Sequence, residues 1–267
     1  MQPDRAEVIR HHLYTCGTST TEALASATGA SVATVRRDLV ALERQGVVSR
    51  THGGARIAAA AHVEVGFATR ERQNLAQKRS IAAAAFTLLR PQTSVFLDAG
   101  TTVLQLARHL RLSPMPLAIF TNGLLVAREL MDVPKLRVAL LGGQLRSENA
   151  SLVGPAAEAM LDTLWFDQLF LGASAVGDDG CIYSLDAAEA SLNGRMLARS
   201  ASAVVLADAS KFGHRATYLV APLTAATAVI SDRRLDAGHH RRLLEAGIAV
   251  SLAPAARSDA PLGSRGG

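Results

Sequence analysis

Apolar residues recur at helical spacing in three short stretches before residue 45, and as near-continuous short runs after residue 90. Val8, Ile9 and Leu13 mark a first helix. Ser19 to Thr28 reads as a second, with Leu24 and Ala27 inward, and Gly29 stops it as a left-handed glycine would. Ser31 then caps a third helix carrying the stripe Val32, Val35, Leu39 and Leu42. Gly46 ends that helix, Val47 and Val48 read as a strand, and Arg50-Thr51-His52-Gly53-Gly54 reads as a turn. Three short helices followed by a hairpin predict a winged helix-turn-helix.

Beyond residue 76 the pattern alternates between strand and helix. The apolar strand candidates are Ser94–Leu97, Leu117–Phe120, Arg137–Leu141, Gln168–Leu171, Ala203–Ala207, Ala228–Ser231 and Ile248–Leu252. Runs this apolar predict a mostly parallel sheet buried on both faces within an α/β domain. The chain therefore divides into a winged helix-turn-helix at 1–57, a small-residue linker at 58–75, an α/β domain at 76–252 and a tail at 253–267. The tail is rich in Pro, Gly, Ser and Arg and is expected to be disordered. No internal repeat is apparent.

Composition narrows the class. Hydrophobic residues make up 49% of the 267 and charged residues 19%, which excludes a disordered or collagen-like chain. Two cysteines, Cys16 and Cys181, are too few for a disulfide framework or a metal cluster. No apolar run reaches the roughly 18 residues of a membrane helix, and the opening residues lack the apolar core of a signal peptide. A cytoplasmic chain without membrane contact is expected. The formal net charge of +5 permits contact with nucleic acid. Only Lys78, Lys135 and Lys211 are lysines among 28 basic residues, so a retained lysine is a candidate for chemistry that arginine does not supply.

The third helix is the first chemical candidate. Opposite or flanking its apolar stripe lie Ala33, Thr34, Arg36 and Arg37, in the turn and a half that a helix-turn-helix inserts into the major groove. Arginine there grips guanine edges or phosphate, and threonine meets phosphate or a thymine methyl. Ser31 at the cap and Arg50, Thr51, His52, Gly53 and Gly54 in the wing complete a donor-rich face. A plain solvated helix face, with Asp38 as the arginines' partner, is the competing reading. Double-stranded operator DNA is the expected partner.

The second candidate is a rim. Five of the seven strands run into turn-forming residues: Asp98-Ala99-Gly100-Thr101-Thr102, Thr121-Asn122-Gly123, Gly142-Gly143, Gly172-Ala173-Ser174 and Asp208-Ala209-Ser210-Lys211. Ligands of open α/β sheets bind outside the carboxyl ends of the strands, and Thr101 and Thr102 open a helix whose N-terminus favours phosphate. Ordinary loop chemistry uses the same residue types, but five such loops on one edge predict a polar pocket. No dinucleotide or P-loop fingerprint is present, so no cofactor is expected.

These segments resemble the DeoR family of bacterial regulators. SVATVRRDLVAL (31–42) with Arg50-Thr51-His52-Gly53-Gly54-Ala55 is similar to its helix-turn-helix. Lys78-Arg79-Ser80-Ile81-Ala82, LDAGTT (97–102), TNG (121–123), LLGGQLR (140–146), LVGPAAE (152–158), LGAS (171–174) and ADASKFG (207–213) are similar to its sensor domain, whose fold is akin to ribose-5-phosphate isomerase and the CoA transferases. The resemblance implies a repressor of a sugar or polyol operon, a homodimer or homotetramer, and a phosphorylated sugar or related metabolite as effector. Lys78, Thr101 and Thr102 are then candidates for its phosphate, and Asp98, Asn122 and Lys211 for hydroxyls or phosphate. Gly100, Thr121, Gly142, Gly143 and Gly172 line the same loops. Glu189 is either a hydroxyl contact or an exposed helix acid. The chain departs from the family in having Asn193 where lysine is usual, and Arg195 faces another side of that helix. The related isomerases carry paired acids where this chain reads Leu171-Gly172-Ala173-Ser174, and no catalytic triad or metal-ligand spacing is present. A non-enzymatic regulator is expected; the alternative is an isomerase-type enzyme with a DNA-binding appendage, drawing its acid from Asp98 or Asp208.

Overall fold

A computed structural model describes residues 5–44, 47–51, 53–57 and 66–254. Two compact units divide the chain between Thr69 and Arg70.

In the first unit α1 (Arg5–Cys16) leads to a short strand β1 (Thr18–Thr20), α2 (Thr21–Thr28) and α3 (Val32–Arg44). A hairpin of β2 (Val48–Thr51) and β3 (Gly54–Ile57) follows. The predicted second helix begins two residues late because Ser19 and Thr20 are used as strand. The Thr20 hydroxyl accepts from the Ala23 amide at 3.2 Å, capping α2, a contact worth about 0.5–2 kcal/mol in helices generally. Gly29 adopts φ 65°, ψ 18° and closes α2 in the left-handed region. Ile9, Leu13, Leu24, Val35, Leu39, Leu42, Val48 and Ala55 form the unit's core. β3 is the central strand of the sheet β1-β3-β2, so the wing is anchored through β3 while β2 forms its outer edge. Gly46 and His52 lie outside the described residues.

Helix α4 (Phe67–Arg72) contains the division between the units, and α5 (Leu75–Phe86) opens the α/β fold. The expected linker at 58–75 thus holds helical residues at its far end; residues 58–65 lie outside the described range. The elements that follow are β4 (Ser94–Leu97), α6 (Thr101–Leu112), β5 (Leu117–Thr121), α7 (Leu124–Leu130) and β6 (Leu136–Leu140). Next come β7 (Gln144–Arg146), β8 (Ser151–Val153), α8 (Pro155–Asp162), β9 (Gln168–Gly172), β10 (Ala175–Val176), β11 (Cys181–Ser184) and α9 (Ala187–Ala198). The chain closes with β12 (Ala203–Leu206), β13 (Tyr218–Pro222), β14 (Ala228–Asp232), α10 (Ala237–Glu245) and β15 (Ala249–Ala253).

All seven strands read from the apolar runs join one parallel sheet in the order β15-β14-β12-β9-β4-β5-β6. α5, α6 and α7 pack side by side. Leu161 of α8, Leu192 and Met196 of α9 and Leu243 of α10 share a core with Leu169, Leu171, Val205 and Val229 of the sheet. Phe170, between Leu169 and Leu171, is equally buried but outside that cluster, as period-two alternation on a two-faced sheet requires. The progression from β4 runs outward through β5 and β6, then resumes on the other side with β9. That reversal makes β4/β9 the topological switch point, where a crevice opens beyond the carboxyl ends.

Two small antiparallel pieces were not predicted. The hairpin β7–β8 pairs Gln144 with Val153 and Arg146 with Ser151. A three-stranded sheet, β10-β11-β13, brings Cys181 opposite Pro222.

Candidate DNA interface and ligand rim

With Val35, Leu39 and Leu42 buried, α3 turns Ala33, Arg36 and Arg37 outward. The competing partner is taken: Arg5 holds Asp38 through Nε–Oδ2 at 2.5 Å and Nη2–Oδ1 at 3.2 Å. Arg36 and Arg37 have no ion-pair partner among the described residues. Together with Arg44 and Arg50 they line a shallow groove of about 370 Å³ floored by Val40 and Ala41. Arg36, Arg37 and Arg44, exposed beside the Glu43-paired Arg50, make this open groove positive while keeping their hydration. Ser31 caps α3, its Oγ accepting from the Thr34 amide at 3.2 Å and lying 2.8 Å from the Thr34 hydroxyl.

The wing is more committed to structure than its composition implied. Glu43 holds Arg50 twice, accepting from its amide at 3.1 Å and from Nε at 2.7 Å. These bonds, the backbone one first, keep the Glu43 carboxyl below its ordinary pKa. Gly53 is exposed with φ 82°, and its carbonyl accepts from both the amide and hydroxyl of Thr21 at 2.9 Å. Gly54 is buried where β3 meets β1; a Cβ there would stand 2.1 Å from the Ser19 carbonyl oxygen. Thr51 remains exposed.

The rim of the second unit is built from buried polar groups. Asp98, following β4, accepts from the Gly172 amide at the end of β9 across the switch point, at 3.1 Å. Gly100 and Gly172 crowd this carboxylate; a Cβ on Gly172 would lie 3.2 Å from Asp98 Oδ2 and 3.4 Å from Gly100 Cα. Burial, and secondarily the charge of Glu189, push the Asp98 carboxyl up to about 7, against the opposing pull of backbone amides. Gly100 caps the twelve-residue α6 without a side-chain bond, so its first amides have no side-chain cap. Thr101 and Thr102 are buried there.

Beside them, Thr121 Oγ1 accepts from the Gly123 amide at 2.9 Å, and a Cβ on Gly123 would meet Ala99 Cα at 2.8 Å. Asn122 is buried, and its Oδ1 has no hydrogen-bond partner among the described residues. Gly143, at φ 137°, lets the chain pass Val153, whose carbonyl a Cβ would approach to 2.6 Å. Gly142 is exposed.

Lys78 of α5 lies within electrostatic reach of Asp208 and Lys211, which follow β12. Lys78 is buried and donates its ammonium to the Arg70 carbonyl. Desolvation lowers its pKa to about 8, Asp208 pulling it up and Lys211 adding to the fall. Asp208 Oδ1 accepts from Ser210 and from Asn74 Nδ2 at 3.0 Å, whereas its Oδ2 is buried with no hydrogen bond among the described residues.

Glu189 is not an exposed helix acid. It is 6% exposed, and its Oε1 accepts from Asn149 at 2.7 Å, Ser151 at 2.8 Å and Arg146 at 3.0 Å. Arg146 also reaches Asp186, the α9 cap, at 3.3 Å. This network comes from the β7–β8 hairpin, which no apolar periodicity marks; only the recurrent polar residues Ser147, Glu148, Asn149 and Ser151 hint at it. Arg195 is bound to Asp162 at 2.5 Å and Glu158 at 3.4 Å, tying α9 to α8, and so does not replace a lysine at 193. Among the described residues no group of three His, Cys, Asp or Glu could hold a metal, and no helix is long and apolar enough to cross a membrane.

Comparison with known proteins gives two family matches. The DeoR-like helix-turn-helix domain matches residues 5–60, and the DeoR C terminal sensor domain matches residues 73–233. The chain belongs to the DeoR family. The transcriptional regulator GlpR of Haloferax volcanii is 37% identical over 86% of this chain and 89% of its own length. The lactose phosphotransferase system repressor of Staphylococcus aureus is 32% identical over 81% and 86%. Among solved structures, ribose 5-phosphate isomerase A from Neisseria gonorrhoeae aligns over 52% of this chain and 53% of that one, at 16% identity and a TM-score of 0.36. In this DeoR-family chain the arginine groove lies in the helix-turn-helix and the rim in the sensor domain.

Proposed function

We propose that this DeoR-family chain is a sequence-specific repressor of a sugar or polyol catabolic operon, released from its operator by a phosphorylated sugar. The observation that carries the reading is the open groove of Arg36, Arg37, Arg44 and Arg50 along α3 and β2, whose competing carboxylate, Asp38, is already held by Arg5. Arg36 and Arg37 enter the major groove, and Arg50 and Thr51 meet phosphate. One such helix reads few bases, so the active form is a homo-oligomer on repeated half-sites.

In the sensor domain the uncapped start of α6 at Thr101 and Thr102 receives the phosphate, with Lys78 and Lys211 as candidate countercharges. Asp98, Asn122 and Glu189 supply acceptors for hydroxyls. Release requires that the effector bind the operator-incompetent arrangement more tightly than the competent one. The relatives are named as transcriptional regulators and repressors, which favours a sensing role for the rim over turnover.

The test is fluorescence anisotropy of the full chain with a labelled fragment from upstream of its own gene. Submicromolar binding in the native chain, lost by at least tenfold in Arg36→Ala with Arg37→Ala, supports the reading. Equal affinity of the double variant and the native chain removes α3 from the interface.

A further inference from the structure

Glu189 has a second consequence beyond lining the rim. Its Oε1 holds Asn149 Nδ2 at 2.7 Å, and Asn149 Oδ1 in turn accepts from Arg70 Nη2 at 2.6 Å. The same Arg70 nitrogen reaches the Glu148 carbonyl at 3.2 Å. On the main chain of Arg70, the carbonyl accepts from Lys78. Arg70 is thus held at both its side chain and its backbone by groups of the rim, and it lies in α4 at the residue where the sensor unit begins. Asn149 is 7% exposed and Glu189 6%. A buried amide bridging a carboxylate and a guanidinium has one satisfied orientation: oxygen to the arginine, nitrogen to the glutamate.

We propose that Glu189, Asn149 and Arg70 form a relay that passes occupancy of the rim to α4, the helix from which the DNA-binding unit departs. The relay rests on the rim being the ligand site. A sugar hydroxyl that claims Glu189 competes for the same oxygen that orients Asn149. Asn149 then loses the partner that fixes its oxygen on Arg70, and the guanidinium loses an anchor. Coupling of this kind needs a two-state element biased from both ends; here that element is Arg70 docked on the β7–β8 hairpin or released from it.

Hydrogen exchange of the full-length protein tests the relay without operator or effector. Glu189→Gln keeps the shape of the side chain but removes the charge, as occupancy would in part. Amides of residues 67–72 are expected to exchange at least fivefold faster in Glu189→Gln and in Asn149→Ala, and no faster in the double variant than in the more affected single one. Asp162→Asn, which breaks the shortest α8–α9 ion pair instead, leaves these residues unchanged. Unaltered exchange over 67–72 in Glu189→Gln, with the rest of the sensor domain protected, overturns the relay, as does a purely additive double variant. Failure of promoter binding would overturn the repressor reading and leave this result standing, so the two are separable.

Discussion

The two units handle charge in opposite ways. The helix-turn-helix keeps Arg36, Arg37 and Arg44 on an open surface, beside Arg50 held by Glu43, over a largely apolar core, where the first three guanidiniums stay hydrated until a polyanion displaces their water. The sensor domain buries Asp98, Glu189, Asp208 and Lys78, and burial shifts the ionisation of Asp98 upward and of Lys78 downward. A long-range polyanion is met by exposed charge, whose attraction acts over the Debye length of about 10 Å at 0.1 M salt. A small polar ligand is met by preorganised, desolvated groups, which act only at contact. The difference teaches that the DNA face should respond to salt and the rim to pH.

The largest expected effect sharpens the rim's side of that contrast. Between about pH 4 and pH 7 Asp98 in the unfolded chain has lost its proton while the buried, folded-state carboxyl keeps it. Folding therefore takes up a proton, and this group's contribution falls as pH rises through the window, then levels above about 7. The difference is on the order of 4 kcal/mol. Asp98→Asn should flatten the decline, read as chemical denaturation midpoints of the sensor domain at pH 4.5 and 7.5. Parallel profiles for the two proteins would contradict the assignment.

Next in size, Leu39→Ala empties a fully packed position of α3 and should cost about 2–5 kcal/mol. Calorimetry of the full chain should show the helix-turn-helix melting earlier with the sensor transition unmoved. A matching shift of both transitions would mean the units fold as one. Arg37→Ala should then weaken operator binding by roughly 1–3 kcal/mol and relax specificity at one base pair, leaving thermal stability near native; unchanged affinity places the residue outside the contact. The smallest effect belongs to Arg50, already shared with Glu43. Arg50→Ala should reduce the slope of log affinity against log salt by about 1, visible in anisotropy between 50 and 200 mM salt, with no change in sequence preference.

Legibility followed the same contrast. The central sheet could be read because Val95, Phe96, Leu169, Phe170, Val204 and Val205 sit in runs buried on both faces, and α3 because its stripe has one period. The strand-end residues were readable for a topological reason, since the carboxyl ends of parallel strands share one rim. The β7–β8 hairpin was not. Gln144, Leu145 and Arg146 are short, largely exposed and paired antiparallel outside the main sheet, so neither periodicity nor length marks them. Glu189's partners became visible only once that hairpin brought residues about 40 positions away in sequence against α9. Gly54 shows the complementary limit: it reads as a flexible wing residue, yet the Ser19 carbonyl at 2.1 Å from any Cβ makes it a packing position.

The most direct test titrates phosphorylated and unphosphorylated forms of one panel of sugars into the complex of the full chain with its promoter fragment, followed by anisotropy. The account predicts that a single phosphorylated sugar lowers DNA affinity at least tenfold while its unphosphorylated form does not, and that Thr101→Ala with Lys78→Ala abolishes the response. Release by the unphosphorylated sugar alone, or a full response in that double variant, would contradict it.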